Sequence, residues 1–385
     1  MSSIPHVALL IETTRSYTRE ILQGVKRYVS EQSPWSVFVE LRALDSPPPP
    51  WLKNWSGDGI LTRTGSQKMA DAIRQTGVPA VELRSTRLRH DFPFIGMDNQ
   101  SIGRQVAQHF LERGFRNFGI YDFDTEDFFE ERRDTFQQIL KEEQIECSTF
   151  SSRHKKESPP EWEAHQRALS AWLLELPKPV GILACTDQLG FWLLDACQRA
   201  GLSVPEEVAV VGVENDETLC GMATPPLSSL KMNGLKVGYE AAALLNRLMK
   251  GDSEPQGPLL VEPVGIVTRQ SSDIVAIDDQ DLARALRLIR EKACEGITVS
   301  EVLKVVPISR SSLERRMRDL LGRSPNAEIN RVRLNQARLL LTETDLSLAE
   351  IARRTGFQYQ QYLSELFHKT YEQTPSQFRS EQRRG

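Results

Sequence analysis

Sliding residues 347–367, SLAEIARRTGFQYQQYLSELF, back by 49 positions lays them on an earlier stretch of the same chain. Thr298-x-x-Glu301 falls on Ser347-x-x-Glu350, two capping-box patterns that start helices. Val302 meets Ile351, Pro307 meets Gly356, Ile308 meets Phe357, Leu313 meets Tyr362 and Met317 meets Leu366; a final one-residue slip brings Ser324-Pro325 onto Thr374-Pro375. Such symmetry restricts this region to two copies of one supersecondary unit: a short capped helix, a corner and a second helix. Tyr362, Leu366 and Phe367 are read as core positions of the second copy.

In a helix-turn-helix unit the early exposed side chains of the second helix reach base edges in the major groove. The second copy offers Gln358, Tyr359, Gln360 and Gln361, and glutamine pairs bidentately with adenine. The first copy offers Ser309, Arg310, Ser311 and Arg315, and arginine favours guanine. Between the copies AEINRVRLNQARLLL reads as one helix about 22 Å long. A spacer of that kind can hold two recognition helices on one face of a duplex, about 34 Å or one turn apart. Charge agrees: Leu282–Gly385 carries +7 and residues 1–281 carry −11. A basic module on an acidic body suits polyanion binding; a helical protein-interaction bundle is the blander alternative.

The preceding 273 residues have another texture, in which short apolar runs (VALLI, SVFVEL, GDGILTR, VPAVELRS, NFGIYDF, VGILACTD, EVAVVGVEND) alternate with helical stretches. That rhythm implies parallel sheets with helices on both faces, and the length favours two lobes over one sheet. Ligands in such folds sit at the carboxyl ends of strands. Those ends carry Thr13, Arg15 and Tyr17 after the first strand, Arg132 in the helix after YDF, Thr186 and Asp187 after ILAC, and Glu214 and Asn215 after VVGV. Carboxylate, guanidinium, amide and aromatic groups together suit a polyhydroxylated ligand. The competing reading gives Arg132 to its acidic neighbours Glu130, Glu131 or Asp134, and makes Asp187 a helix cap. The six histidines lack metal-ligand spacing, the five cysteines form no C-x-x-C pair, and there is no G-x-S-x-G, G-x-G-x-x-G or Walker loop, so neither metal nor cofactor is expected. An enzyme acting on carbohydrate would need a positioned acid and base that the sequence does not single out. A transport component would need an export signal. The N-terminus has no basic segment and an apolar run of only five residues, which reads as a cytoplasmic protein with no membrane partner.

Several motifs carry family resemblances. GDGIL, FIGMDNQSIGRQVAQHFLERGFRNFGIY, GILACTDQLGFWLLDACQRAGLSVPEEVAVVGVEND and TPPLSSLKMNGLKVGYEAAALLNRLMKG resemble the sugar-sensing domain of the LacI/GalR regulators, which shares its fold with periplasmic sugar-binding proteins. LSLAEIARRTGFQYQQYLSELFHKTYEQTPSQFR resembles the AraC/XylS-family DNA-binding domain. Glu214 stands where Asp is more usual, Pro307 where Gly is common and Leu363 where an aromatic is usual, and the LacI-type N-terminal DNA-binding headpiece is missing. The resemblance implies an α/β two-lobed periplasmic-binding-protein-like domain (1–273) followed by an all-α domain with two helix-turn-helix units (282–385), joined by a linker (274–281). It implies lobes near 4–97 plus 226–252 and 98–225 plus 259–272, and ligand-facing roles for Arg132, Asp187, Glu214 and Asn215. The joint layout is similar to that of the bacterial xylose-operon regulators. It implies a pentose effector, D-xylose, a homodimer, an operator with repeated half-sites, activation, and RNA polymerase as a partner.

Overall fold

The computed structural model describes residues 4–382 except 33, 41, 85–91, 124–126, 153–157, 254, 256 and 275–278. Contacts divide the chain into two compact units, Met1–Ile274 and Val275–Gly385. Half of the linker expected at 274–281, residues 275–278, lies outside the described residues.

The first unit begins with β1 (His6–Leu10), α1 (Ser16–Glu31), β2 (Ser36–Val39), β3 (Gly59–Thr62), α2 (Gln67–Arg74) and β4 (Ala80–Glu82). Its first sheet has the order β2-β1-β3-β4, all parallel. A bridge from Glu82 to Phe94 leads on to β5 (Ile95–Met97). The second lobe follows: α3 (Asn99–Leu111), β6 (Asn117–Phe123), α4 (Asp127–Glu142), β7 (Cys147–Ser152), α5 (Pro159–Glu175), β8 (Val180–Ala184), α6 (Asp187–Arg199), β9 (Val208–Glu214) and α7 (Glu217–Met222). The remaining elements of this unit are β10 (Ser228–Lys231), α8 (Gly234–Met249), β11 (Leu259–Val261) and β12 (Gly265–Val267). The second sheet runs β12-β10-β9-β8-β6-β7, antiparallel only at β12. The central strands β8 and β9 are near-continuous apolar runs because both faces are covered by helices.

Two short segments change lobes relative to the boundaries expected from the sequence. Ser228–Lys231 pairs with β9, so the chain crosses into the first lobe only after it, at α8, which packs on α1. Leu259–Val261 pairs with β5 beside the first sheet. At three or four residues each, such strands carry too little periodicity to reveal their sheet.

The α1–α8 crossing depends on two glycines. A Cβ at Gly24 would lie 2.2 Å from the Leu235 carbonyl oxygen, and one at Gly238 would lie 2.0 Å from that of Ile21. Gly238→Ala must therefore part the helices. Overpacking of this kind costs about 1–3 kcal/mol, and we expect that loss in a denaturant titration of the first unit.

The second unit comprises α9 (Gln280–Lys292), α10 (Val299–Val305), α11 (Arg310–Leu321), α12 (Pro325–Glu343), α13 (Leu348–Arg354), α14 (Gln360–Tyr371) and α15 (Pro375–Gln382). Thr298 and Glu301 complete a reciprocal capping box at α10. Ser347 accepts from the Glu350 amide at α13, but the Glu350 carboxylate turns to Arg353 and Arg354, so the second box is only half made. α12 is about 28 Å long at its 19 residues. Its second half shares a core with the second copy: Leu334, Ala337, Leu341, Ile351, Ala352, Phe357, Leu363 and Phe367. Gly356, at φ +73°, turns the second corner with its Cα so near the Ala293 carbonyl that a Cβ would sit 2.5 Å from it. Only glycine meets both demands.

Candidate functional site

The first unit holds a narrow cleft lined from both lobes. From the first lobe come Arg15 and Tyr17 at the start of α1, and Arg63, Leu83 and Arg84 at the ends of β3 and β4; Met97 and Asn99 follow from the end of β5 and the start of α3. Arg132 of α4, Glu214 at the end of β9 and Met232 after β10 face them. Arg15 and Glu214 meet across the opening at 2.8 Å, with side chains 34% and 11% exposed. That ion pair is a direct bond between the lobes, and a ligand entering here must replace or share it.

Arg132 is 2% exposed. Its Nε donates to Asn99 Oδ1 at 2.9 Å and its Nη1 to the Cys185 carbonyl at 2.7 Å, so it is a buried brace between α3 and the end of β8. Tyr17 is buried, with the Arg63 guanidinium 5.6 Å from its ring centroid. Burial, helped by Glu214, pushes its phenol up and keeps it a neutral donor. Arg63 in turn pairs with buried Glu12. Glu82 accepts from the amides of Thr64 (3.1 Å) and Arg84 (2.8 Å), while the Arg84 side chain donates to the Thr64 carbonyl at 3.2 Å.

Four residues read from the sequence, Arg15, Tyr17, Arg132 and Glu214, thus come together at the cleft. Thr186, Asp187 and Asn215 are not among its lining residues. Thr186 caps α6 by accepting from the Leu189 amide, and Asp187 begins that helix without capping it. Asp187 is fully buried; its carboxyl accepts from the Asp216 amide at 2.6 Å and the Ser229 hydroxyl at 2.5 Å, tying the α6 start to β9 and β10. Burial lifts it to about 8, against the opposing pull of the Ser229 bond, so it is largely uncharged at neutral pH. Asn215 sits at φ +55° with its amide donating to Ser229 Oγ. Arg63, Arg84 and Asn99 were missed, although each follows a strand and the rule of strand ends applies to them equally.

In the second unit Ser309, Arg310, Ser311, Arg315, Gln358, Tyr359, Gln360 and Gln361 are all exposed at the starts of α11 and α14. Tyr359 is 61% exposed. Among the described residues Arg310 is engaged by its surface neighbour Glu314 at 3.3 Å, a contact worth about 0.5 kcal/mol at most. The register of the repeat needs correction. Tyr362 is 44% exposed, whereas Leu363 and Phe367 are fully buried, as are Leu313 and Met317. The second helices, 310–321 and 360–371, are therefore offset by 50, as are their left-handed ends at Gly322 and Glu372. The extra residue lies in the corner before α14, and Arg310 corresponds to Gln360.

Comparison with known proteins agrees along the whole chain. Family profiles described as XylR N-terminal domain, periplasmic binding protein-like domain and helix-turn-helix domain match residues 6–100, 107–272 and 302–381. The xylose operon regulatory protein of Escherichia coli K12 is 32% identical over 97% of this chain and 96% of its own length; that of Haemophilus influenzae is 29% identical, over 97% of each. A solved structure of a xylose-binding transcription activator superposes with a TM-score of 0.81 at 30% identity, covering 98% of both chains. A periplasmic-binding-protein-like unit followed by paired helix-turn-helix units defines a sugar-responsive, DNA-binding transcription regulator and not an enzyme. Within that class, the chain belongs to the family of xylose operon regulatory proteins.

Among the described residues no helix is long and apolar enough to cross a membrane, and no group of His, Cys, Asp or Glu is placed to hold a metal ion.

Proposed function

We propose that a monosaccharide, D-xylose first among pentoses, binds between the lobes and exchanges the Arg15–Glu214 contact for bonds to its own hydroxyls. The observation that carries this reading is that contact: two charged groups from opposite lobes meet at 2.8 Å in a cleft whose floor is the braced guanidinium of Arg132. A sugar that bonds to both lobes prefers the closed state, and only that preference can shift the equilibrium. Asn215, whose side-chain oxygen is buried without a hydrogen-bond partner among the described residues, Thr186 and Asp187 support the second-lobe wall in this reading.

The regulator acts as a cytoplasmic homodimer and activator. It presents four recognition helices to an operator with repeated half-sites and makes contact with RNA polymerase there. Ser309, Arg310, Ser311 and Arg315 read one part of each half-site, and Gln358, Tyr359, Gln360 and Gln361 the other. Arg310→Ala and Gln360→Ala are each expected to weaken specific operator binding by about tenfold or more, the value of one bidentate base contact, with D-xylose binding intact. Gel shift beside calorimetry reads both. Unchanged operator affinity in both variants contradicts the assignment.

A thermal-shift screen over pentoses and hexoses tests the effector, since a ligand of the folded state raises apparent stability by mass action. A rise with D-xylose is the expected result; a rise with another sugar alone would replace it.

A further inference from the structure

The two helix-turn-helix copies are tied to each other by more than the helix between them. Residues 293–297 follow α9 and lead into Thr298, the cap of α10, so this turn is the entry to the first copy. Arg333, half-buried near the middle of α12, holds it: Nε donates to the Ala293 carbonyl at 2.8 Å and Nη2 to the Ile297 carbonyl at 2.9 Å. The same guanidinium lies 5.8 Å from the ring centroid of Phe357, in the corner of the second copy. Gly356, beside that ring, comes so near the turn that a Cβ there would also sit 3.0 Å from the Cys294 carbonyl oxygen and from the Gly296 nitrogen. A fork spanning two carbonyls and a cation over an aromatic face are both directional contacts. One side chain thus joins the entry of the first copy, the spacer and the corner of the second. Long helices bend, so a spacer by itself would let the two reading helices shift against one another.

We propose that Arg333 is a positioning residue for DNA recognition: it fixes the offset between α11 and α14, and so sets how strictly the regulator measures the interval between the two parts of a half-site. This rests on the reading of both copies as recognition units. One base pair added between the parts moves the second by about 3.4 Å and turns it by about 34°. A locked pair of helices must then give up the contacts of one copy or deform the duplex to keep both. A loose pair follows the displaced part at little cost.

Gel shift on the full-length protein tests this, with the genomic fragment that footprinting shows to be protected and with copies of it carrying one base pair more or one fewer between the two parts. The unsubstituted protein should bind the altered fragments at least about tenfold more weakly, the value of one bidentate base contact. In Arg333→Met, which keeps the apolar stem and removes the fork, that ratio should fall to about threefold or less, because a spacer able to flex recovers most of the contacts. Arg333→Lys, whose ammonium is a single point of charge, should lie between the two. A smaller share of folded protein lowers the apparent affinity for all three fragments by one factor, so the ratio reports position and not stability. If Arg333→Met binds no fragment, the ratio in Arg333→Lys decides in its place. The inference is overturned if the unsubstituted protein binds all three fragments within threefold of one another, or if the variants keep the ratio of the unsubstituted protein. Arg310→Ala and Gln360→Ala separate the two levels: if both weaken binding while the interval ratio stays put in the Arg333 variants, the two-copy reading stands and the junction fails, whereas if neither weakens it, the two-copy reading fails as well.

Discussion

Arg132→Lys is expected to lower D-xylose affinity by about 100-fold while leaving sugar-free DNA binding unchanged. The guanidinium spends Nε on Asn99 and Nη1 on the Cys185 carbonyl, and this double anchorage fixes its position in the wall of the cleft. A lysine ammonium is a single point of charge on a flexible stem and cannot reproduce that fork. Each hydrogen bond to a charged group is worth about 1.5–3 kcal/mol, so losing one such bond to the ligand and loosening the brace reaches about two orders of magnitude. The substitution keeps a cation in the site, which separates loss of geometry from loss of charge. The bases are read from the other unit, so operator binding without sugar serves as the folding control. Calorimetry that finds D-xylose affinity within threefold of the unsubstituted protein would remove Arg132 from the site.

The second large effect concerns the unit that carries the recognition helices. Glu328, in the first turn of α12, is fully buried and is bound by Arg331 through two contacts of 2.8 Å and by Arg323, with Arg290 at 3.8 Å. Burial alone would raise its carboxyl, but the Arg331 hydrogen bonds and the three positive charges outweigh it and hold the group down at about 2. A carboxyl that is more acidic folded than unfolded takes up a proton on unfolding below its ordinary value near 4.5. The stabilisation is therefore complete above about pH 4.5 and disappears as pH falls toward 2. At 1.36 kcal/mol per unit, that interval amounts to about 3 kcal/mol at neutral pH. Glu328→Gln should remove a similar amount from the unfolding transition of the second unit, since it strands three cations around an uncharged amide. An unchanged transition would mean that these arginines are solvated well enough to do without the carboxylate.

How far the sequence reveals this molecule depends on which residues did two jobs. The duplication was legible because Val302 and Ile351, and Thr298 and Ser347, each repeat a role fixed by local physics. Its register was not, because Tyr362 is an aromatic in a helical apolar pattern and reads as core, while in space its hydroxyl accepts from Asn330 at the surface and Leu363 fills the interior. In the cleft, strand ends pointed to Arg15, Tyr17, Arg132 and Glu214, whose side chains have no local demand strong enough to hold them back. Thr186 and Asp187 occupy an equally promising strand end, yet a helix cap and a β9–β10 tie absorb their oxygens. The cap is local, three residues from its donor, and the helix-cap reading only misplaced it by one residue; the tie of Asp187 to β9 and β10 is a tertiary event that nothing in the local pattern announces. The lobe crossovers at 228–231 and 259–261 were hidden for the related reason that very short strands declare a face but not a neighbour.

Footprinting across genomic fragments, with and without sugar, addresses the account most directly, because it asks whether two tandem reading heads 50 residues apart engage one duplex. The expected pattern is a protected site built from repeated elements about one helical turn apart, with occupancy that changes when the effector is added. Absence of any protected site under either condition, from protein shown by calorimetry to bind its sugar, would contradict the account.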